Sequence, residues 1–533
     1  MAEYEGPFGS ATPVGGESFN GTGTGGGGPR RAGDDHYVPS TVGGGGAHFA
    51  AAGSRGGGHG GGHGHLGGVD ASSAALAPLL VESEGGGAAI GSEGFGDHDD
   101  HAEHLERPTK APRGETLRLV ATIVKSFIGS GVLFLPKAFQ SGGWLFSSII
   151  MLAMAGLAQL TIMRLVACRQ RVAGSYSYVG YKAYGRRAQI AVDISLVLSQ
   201  AGFGCVYIVF IARNMLQLVN VDDCWVPGTR LWAFMLVEFF LLVPLTWVRR
   251  MASFGWTSLL ANIFIGAGLV GILAYVGSEW AAAPTHLTVS AMNVADFPLF
   301  LGTAVYAFEG IGMVVPIYDS LSVEGQARYP YTLTFTLVGI ALVYVVIGMV
   351  PYLYLDGVAH VVLQDAVTLN LPEEWWAYCI VVAYCIALVF SYPLMMFPAI
   401  KILERGAGPY LWNAASPTAA HWRRNGFRAF VVAVTVLVSY LGASQLNNLV
   451  ALVGCFACTP LMFIFPTMFH QKLVGPRGLT RLSNWAIALL GVGVFLFATY
   501  EAIATWDITT IDACPGNGHA PPPPPVNATS LLR

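Results

Sequence analysis

Two short stretches of this sequence place groups capable of chemistry in an otherwise apolar setting. The first is Phe127-Ile128-Gly129-Ser130-Gly131-Val132-Leu133-Phe134-Leu135-Pro136; the second is Ala307-Phe308-Glu309-Gly310-Ile311-Gly312, followed by Pro316. Each interrupts an apolar run with Gly-x-Gly and then a proline. Glycine lowers helix propensity by about 1 kcal/mol relative to alanine, and proline removes a backbone donor, so both stretches are expected to unwind. In lipid, unwound backbone exposes N–H and C=O groups that protein, water or a ligand must satisfy. A half-helix starting at Ser130 or Gly131 aims free N–H groups and a positive dipole end at an anion such as a carboxylate. Carbonyls freed near Ala307 and Phe308 can accept from an ammonium. The two sets together suit a zwitterion held end to end. Gly-x-Gly also serves plain close packing between helices; two motifs at matching positions, one with a charge inside, weigh toward a site.

That charge is Glu309. An ionised side chain at the bilayer centre costs at least ~2.5–3.5 kcal/mol on insertion scales, which makes a functional role the default reading. Desolvation favours the neutral acid, and this suits a proton carrier; the alternative is a hydrogen-bonded structural acid inside the turn. Glu238 and Asp193 also fall within apolar runs and read as hydrogen-bonding partners at packed faces. Lys125 either reaches the aqueous surface or pairs with a buried acid. Ser391-Tyr392-Pro393 adds a further candidate, Tyr392, whose hydroxyl lies at membrane depth on a proline-kinked helix. Ser391, Tyr207 and Asn214 are similar polar groups, each more often an ordinary interhelical bond than a ligand contact.

The elements that must position these groups follow from composition. Of 533 residues, 53% are apolar and only 11% charged, less than half the roughly 25% charge of a soluble domain; mean hydropathy is +0.53. Glycine is concentrated at one end: 31 of 66 fall in the first 100 residues. A polar, glycine-rich head thus precedes a body too apolar for water. The chain reads as an all-α integral membrane protein in three parts: a Gly/His-rich cytoplasmic tail over 1–106, expected to be disordered, a helical membrane domain over 107–508, and a short Pro-rich tail over 509–533. The head lacks an apolar core of a signal peptide, so no cleavable leader is expected. Its His59, His63, His65, His98, His101 and His104 stand among glycines that fix no coordination geometry, so no metal and no cofactor is expected; a tail of this length and charge leaves room for a cytoplasmic regulator.

Eleven apolar segments are long enough to cross a ~30 Å hydrocarbon core as helices: about 117–140, 144–167, 189–217, 231–248, 254–276, 295–318, 331–355, 375–402, 427–445, 447–470 and 483–506. The two interrupted segments are the first and the sixth. They stand five positions apart in the order, so matching members of two five-helix halves break at one depth, and an odd repeat length inverts the second half. This is the pattern of an inverted-repeat secondary transporter plus one extra helix. Alternate loops hold most of the Lys and Arg, among them Arg169, Arg186, Arg187, Arg249, Arg250 and Arg423, which puts the amino terminus in the cytoplasm. Eleven crossings put the carboxyl terminus across the membrane, with the glycosylation sequon at Asn527. Cys224 and Cys514 then share the non-cytoplasmic side, where a disulfide is open to them. Net charge of −3 leaves no electrostatic footprint for nucleic acid. No HExxH, carboxylate pair on a loop or nucleophile elbow points to an enzyme, and a channel would more naturally show a polar pore-lining stripe than two broken helices.

The stretch Lys125 to Pro136 resembles the opening motif of the amino acid/auxin permease family, in the branch of fungal vacuolar and proton-coupled amino-acid transporters. Ala307 to Gly312 resembles that branch's sixth-helix motif, Pro393 to Glu404 its eighth-helix stretch, and Cys458 to His470 the proline-rich end of its tenth. Met395 departs from the pattern, where a glutamine is expected. The resemblance spans about 117–506. It implies an eleven-helix LeuT-type fold, small neutral amino acids and protons as partners alongside the bilayer, and a vacuolar or lysosomal membrane, with export to the cytoplasm. It places the substrate carboxylate at Ser130 and Gly131, with Phe308 and Glu309 near the amine and the proton path; together with the motifs themselves, the candidate substrate positions are Gly129, Ser130, Gly131, Ala307, Phe308, Gly310, Gly312 and Tyr392, and the candidate for proton coupling is Glu309. A sensor on the same fold, or an uptake symporter of the plasma membrane, would present the same site.

Overall fold

Apolar runs that satisfy their backbone bonds internally fold as helices, and the computed structural model contains no strand among the described residues, 114–219, 229–248, 255–282, 289–408, 411 and 416–506. In chain order these are α1 (Glu115–Phe127), a 3₁₀ turn (Ser130–Phe134), α2 (Leu135–Gly142), α3 (Trp144–Arg171), α4 (Tyr176–Tyr184), α5 (Arg186–Val219), α6 (Thr229–Thr246), α7 (Gly255–Ala282), α8 (Phe297–Ala307), α9 (Ile311–Asp319) and α10 (Val323–Leu355). There follow α11 (Trp375–Gly406), α12 (Pro417–Gly442), α13 (Leu446–Leu452), a π-helical stretch and α14 (Phe465–Leu473), and α15 (Gly478–Ala504). Among the described residues nine helices are long and apolar enough to cross a membrane, or ten if α1 and Ser130–Gly142, bent by 50° at their break, form one span. The apolar run Leu231–Thr246 is shorter. The expected tails 1–106 and 509–533, Cys224, Cys514 and Asn527 lie outside the described residues.

Helix starts differ from expectation where a cap extends them. Helix α10 begins at Val323 because the Ser322 hydroxyl accepts from the Gly325 N–H, and α12 begins at Pro417 behind Ser416, which caps the Ala419 N–H; Ser at the N-cap and Pro at the first turn are favoured there. Helix α4, too short to span, was not foreseen. Its Tyr176 hydroxyl donates to the Leu461 carbonyl at 2.7 Å, tying it to the π-helical stretch. That stretch comprises Val453–Cys458 and Pro460–Ile464. Pro460 and Pro466 cannot donate to the preceding turn, and the Thr459 hydroxyl bonds the Gly454 carbonyl at 3.1 Å instead. Gly302 lets α8 lie against α13: a Cβ there would sit 2.9 Å from the Ala451 Cα.

Polar ties join helix ends at both mouths of the bundle. At one, Arg169 pairs with Asp319 at 2.9 Å, and Glu115 accepts from the Ser322 N–H and hydroxyl at 2.8 and 2.7 Å. At that end also, buried Arg428 holds Glu404 at 2.7 Å and donates to the Thr246 carbonyl, linking α12, α11 and α6. At the other, Arg213 pairs with Asp365 at 2.6 Å and donates to the Ser444 carbonyl at 2.9 Å.

Candidate functional site

The first and sixth apolar segments are both interrupted where the Gly-x-Gly motifs stand. Helix α1 stops at Phe127, Ile128 is extended, and the chain re-enters a 3₁₀ turn at Ser130. Helix α8 stops at Ala307, and α9 begins at Ile311 after Phe308, Glu309 and Gly310. The broken ends meet. The Ser130 and Tyr306 hydroxyls are 3.2 Å apart, and a Cβ on Gly131 would lie 3.0 Å from the Ala307 Cα. Gly131 is thus a point of backbone-to-backbone approach, whereas the nearest atom to a Cβ on Gly129 is the Tyr207 hydroxyl at 3.9 Å. The close-packing role of the motif and its role in the break are divided between its two glycines.

A single buried side chain ties the two breaks together. The Tyr344 hydroxyl of α10 lies 2.7 Å from the Phe127 carbonyl and 3.0 Å from the Ala307 carbonyl. These are the last residues of α1 and α8, whose carbonyls lack an intrahelical partner. One proton serves both. The Ala307 carbonyl, expected to face a ligand, therefore already has one donor and keeps its second lone pair.

Between the breaks lies a cavity of about 80 Å³. At ~10–15 Å³ per water position, this holds roughly five to eight waters or a small organic molecule. Gly129, Ser130, Gly131, Ala307 and Glu309 line it as expected. Glu309 is 7% exposed, and its Oε1 is buried with no hydrogen-bond partner among the described residues. Around it stand Phe203 and Tyr207 of α5, Asn262 and Ile265 of α7, Tyr306, and Leu388, Ser391 and Met395 of α11. Lys125 also lines the cavity, from the last turn of α1.

Four expected site residues lie elsewhere. Phe308 is buried, its ring edge-on to Tyr344 at 5.3 Å. Gly310 backs onto the Phe127 ring, and Gly312 faces Leu196. Tyr392 is fully buried, and its hydroxyl is 2.7 Å from that of Thr435 on α12. A residue advances 100° round a helix, so Ser391 takes the cavity face and Tyr392 the next one. Sequence reasoning missed Tyr306, Phe203 and Asn262. Asn262 had a legible signal, a lone amide in the apolar run of α7; Tyr306 stands one residue before the second motif.

The family model for transmembrane amino acid transporter proteins matches residues 112–504. The chain is 33% identical over 398 residues to vacuolar amino acid transporter 3 of Schizosaccharomyces pombe, covering 74% of this chain and 58% of the relative. It is 32% identical over 414 residues to the Saccharomyces cerevisiae protein of the same name, covering 76% and 58%. The matched region thus spans a little under three fifths of those relatives. Among solved structures, the inward-facing conformation of Mhp1 superposes with a TM-score of 0.52 at 12% identity, covering 75% of this chain and 92% of Mhp1. The fold is that of a LeuT-like transporter.

Proposed function

Since the chain belongs to the transmembrane amino acid transporter family, we propose that it moves small neutral amino acids across a vacuolar or lysosomal membrane, exporting them to the cytoplasm with protons by alternating access. The observation that carries this reading is the cavity between two helix breaks with an unpartnered acid in its wall. Its size suits a small amino acid. The N–H groups at Ser130 and Gly131 lie at a helix start and take the carboxylate. The ammonium sits toward Glu309 and the free lone pair of the Ala307 carbonyl, and Phe203, Ile265 and Leu388 form the wall against a neutral side chain. Glu309 carries the proton: a carboxyl without a partner in this setting is neutral while the cavity is closed and ionises once water or an ammonium reaches it. In this reading Leu231–Thr246 is counted as a span, giving eleven crossings, with the tail 1–106 in the cytoplasm and Asn527 in the lumen.

The test is uptake of labelled neutral amino acids into sealed proteoliposomes with and without an imposed pH gradient, for the wild type and Glu309→Gln. Saturable uptake that needs the gradient, and that the substitution uncouples, is the expected outcome. Gradient-independent uptake unchanged by the substitution removes proton coupling through Glu309. Binding without flux under any gradient makes the protein a sensor.

A further inference from the structure

Outside the cavity, one buried carboxylate among the described residues has no hydrogen-bond partner. Glu238 of α6 is 4% exposed, and both of its carboxylate oxygens are buried with no hydrogen bond among the described residues. It was expected to be a hydrogen-bonding partner at a packed face, and it bonds to nothing. A structural acid in an apolar helix lowers its own cost by bonding a neighbour. An unbonded one keeps the desolvation penalty even when neutral and a far larger one when ionised.

Its surroundings are polar without being charged. Helix α6 packs on α5, α11 and α12. Cys385 and Tyr392 of α11 lie within electrostatic range of its carboxyl, and Cys205 of α5 within range of Tyr392. Tyr392 bonds Thr435, the Ser439 hydroxyl donates to the Thr435 carbonyl at 2.6 Å, and the Cys205 thiol reaches the same carbonyl. On α12, Tyr440 packs against Trp232, more than a turn from Glu238 along α6. On these helices Arg428 and Glu404 pair with each other, and Arg213 of α5 pairs with Asp365. Arg428 meets α6 only at its end, at Thr246, eight residues or about 12 Å along the helix axis from Glu238. The Tyr392–Thr435 hydroxyl pair therefore lies within electrostatic range of an acid that has no ion-pair partner among the described residues.

We propose that Glu238 is a second proton-binding site of the transport cycle, within range of the Tyr392–Thr435 hydroxyl pair and separate from the cavity that holds Glu309. In the closed arrangement Glu238 is the neutral acid. Separation of α6 from α11 or α12 admits water, which lets it ionise and reload. This rests on the proton-coupled reading above.

Glu238→Gln keeps the shape of the neutral acid and removes its ability to release a proton. In proteoliposomes the expected result is loss of pH-gradient-driven accumulation with amino-acid counterflow exchange retained. Coupled uptake in the wild type that persists unchanged in Glu238→Gln overturns the Glu238 proposal and leaves the proton-coupled reading standing. A wild type that ignores the gradient overturns both. Loss of exchange together with accumulation makes Glu238 a structural acid and also overturns the proposal. A measurement independent of the variant's folding is pH-difference infrared spectroscopy of the wild type in lipid. Two protonated-carboxyl bands responding to pH and substrate support two proton sites; one band alone leaves Glu309 as the only carrier.

Discussion

Adding one methyl group at Gly131 tests whether the broken helices must meet at their observed separation. The new Cβ would lie 3.0 Å from the Ala307 Cα, 3.2 Å from the Tyr306 Cδ1 and 3.4 Å from the Ala307 Cβ. Carbon atoms rest at about 3.5–4.0 Å, so the closest overlap is roughly half an ångström, against backbone that cannot swing aside. Overpacking of this kind costs about 1–3 kcal/mol. Reduced freedom of the unfolded chain returns about 0.4–1 kcal/mol, leaving a net loss of roughly 0.5–2 kcal/mol. If binding needs both breaks in register, that loss weakens apparent affinity roughly 2- to 30-fold at 1.4 kcal/mol per decade. The control is Gly129→Ala, whose Cβ finds only the Tyr207 hydroxyl, at 3.9 Å. Thermal unfolding of both purified variants in detergent, with counterflow uptake for Gly131→Ala, reads the difference. A Gly131→Ala protein as stable and as active as the wild type, or a Gly129→Ala protein destabilised to the same degree, would refute the reasoning.

Tyr344→Phe strips the donor shared by the Phe127 and Ala307 carbonyls; the Phe127 carbonyl keeps the Gly129 N–H at 3.0 Å, but the Ala307 carbonyl loses its donor, and an unsatisfied buried acceptor costs about 1–3 kcal/mol, so a lowered unfolding temperature and a reduced rate of counterflow are expected. Glu404→Gln leaves Arg428, 3% exposed, as an uncompensated buried charge and is expected to cost about 3–5 kcal/mol, read as a fall in folded yield and unfolding temperature; an unchanged melting curve removes the pair from the fold's essential contacts. Expression in a glycosylating host gives a direct reading of orientation: Asn527→Gln abolishes a glycan-dependent mobility shift if the carboxyl terminus is lumenal, and no shift in the wild type counts against that topology.

What was legible beforehand were features confined to a few neighbouring residues. Gly129, Gly131 and Glu309 announce themselves because glycines and a carboxylate are costly inside an apolar helix, so their chemistry shows in a ten-residue window. Tyr344 does not. It lies 217 residues from Phe127, and a tyrosine in an apolar helix carries no mark of which carbonyl it will meet. Tyr392 was misplaced for a related reason: the sequence fixes its depth, but which side of α11 faces the cavity depends on how α5, α7 and α12 pack around it. Glu238 was visible as a charge, yet its isolation was not, since the lack of a partner is a property of three neighbouring helices at once. The π-helical stretch likewise shows only its prolines.

That stretch also sets where the chain can vary in length. A π turn holds an extra residue within each hydrogen-bonded loop, so the span from Leu446 to Leu473 contains slack that a straight α-helix lacks. Removing one residue from α10 would rotate every later side chain on it by about 100°, taking Tyr344 off the two carbonyls it joins. Removing one between Val453 and Ile464 can be absorbed by narrowing the wide turn, leaving Phe469 and His470 on their present faces. Single-residue deletions should therefore be accepted in this span and rejected in its neighbours, a reading frame of geometry rather than of codons.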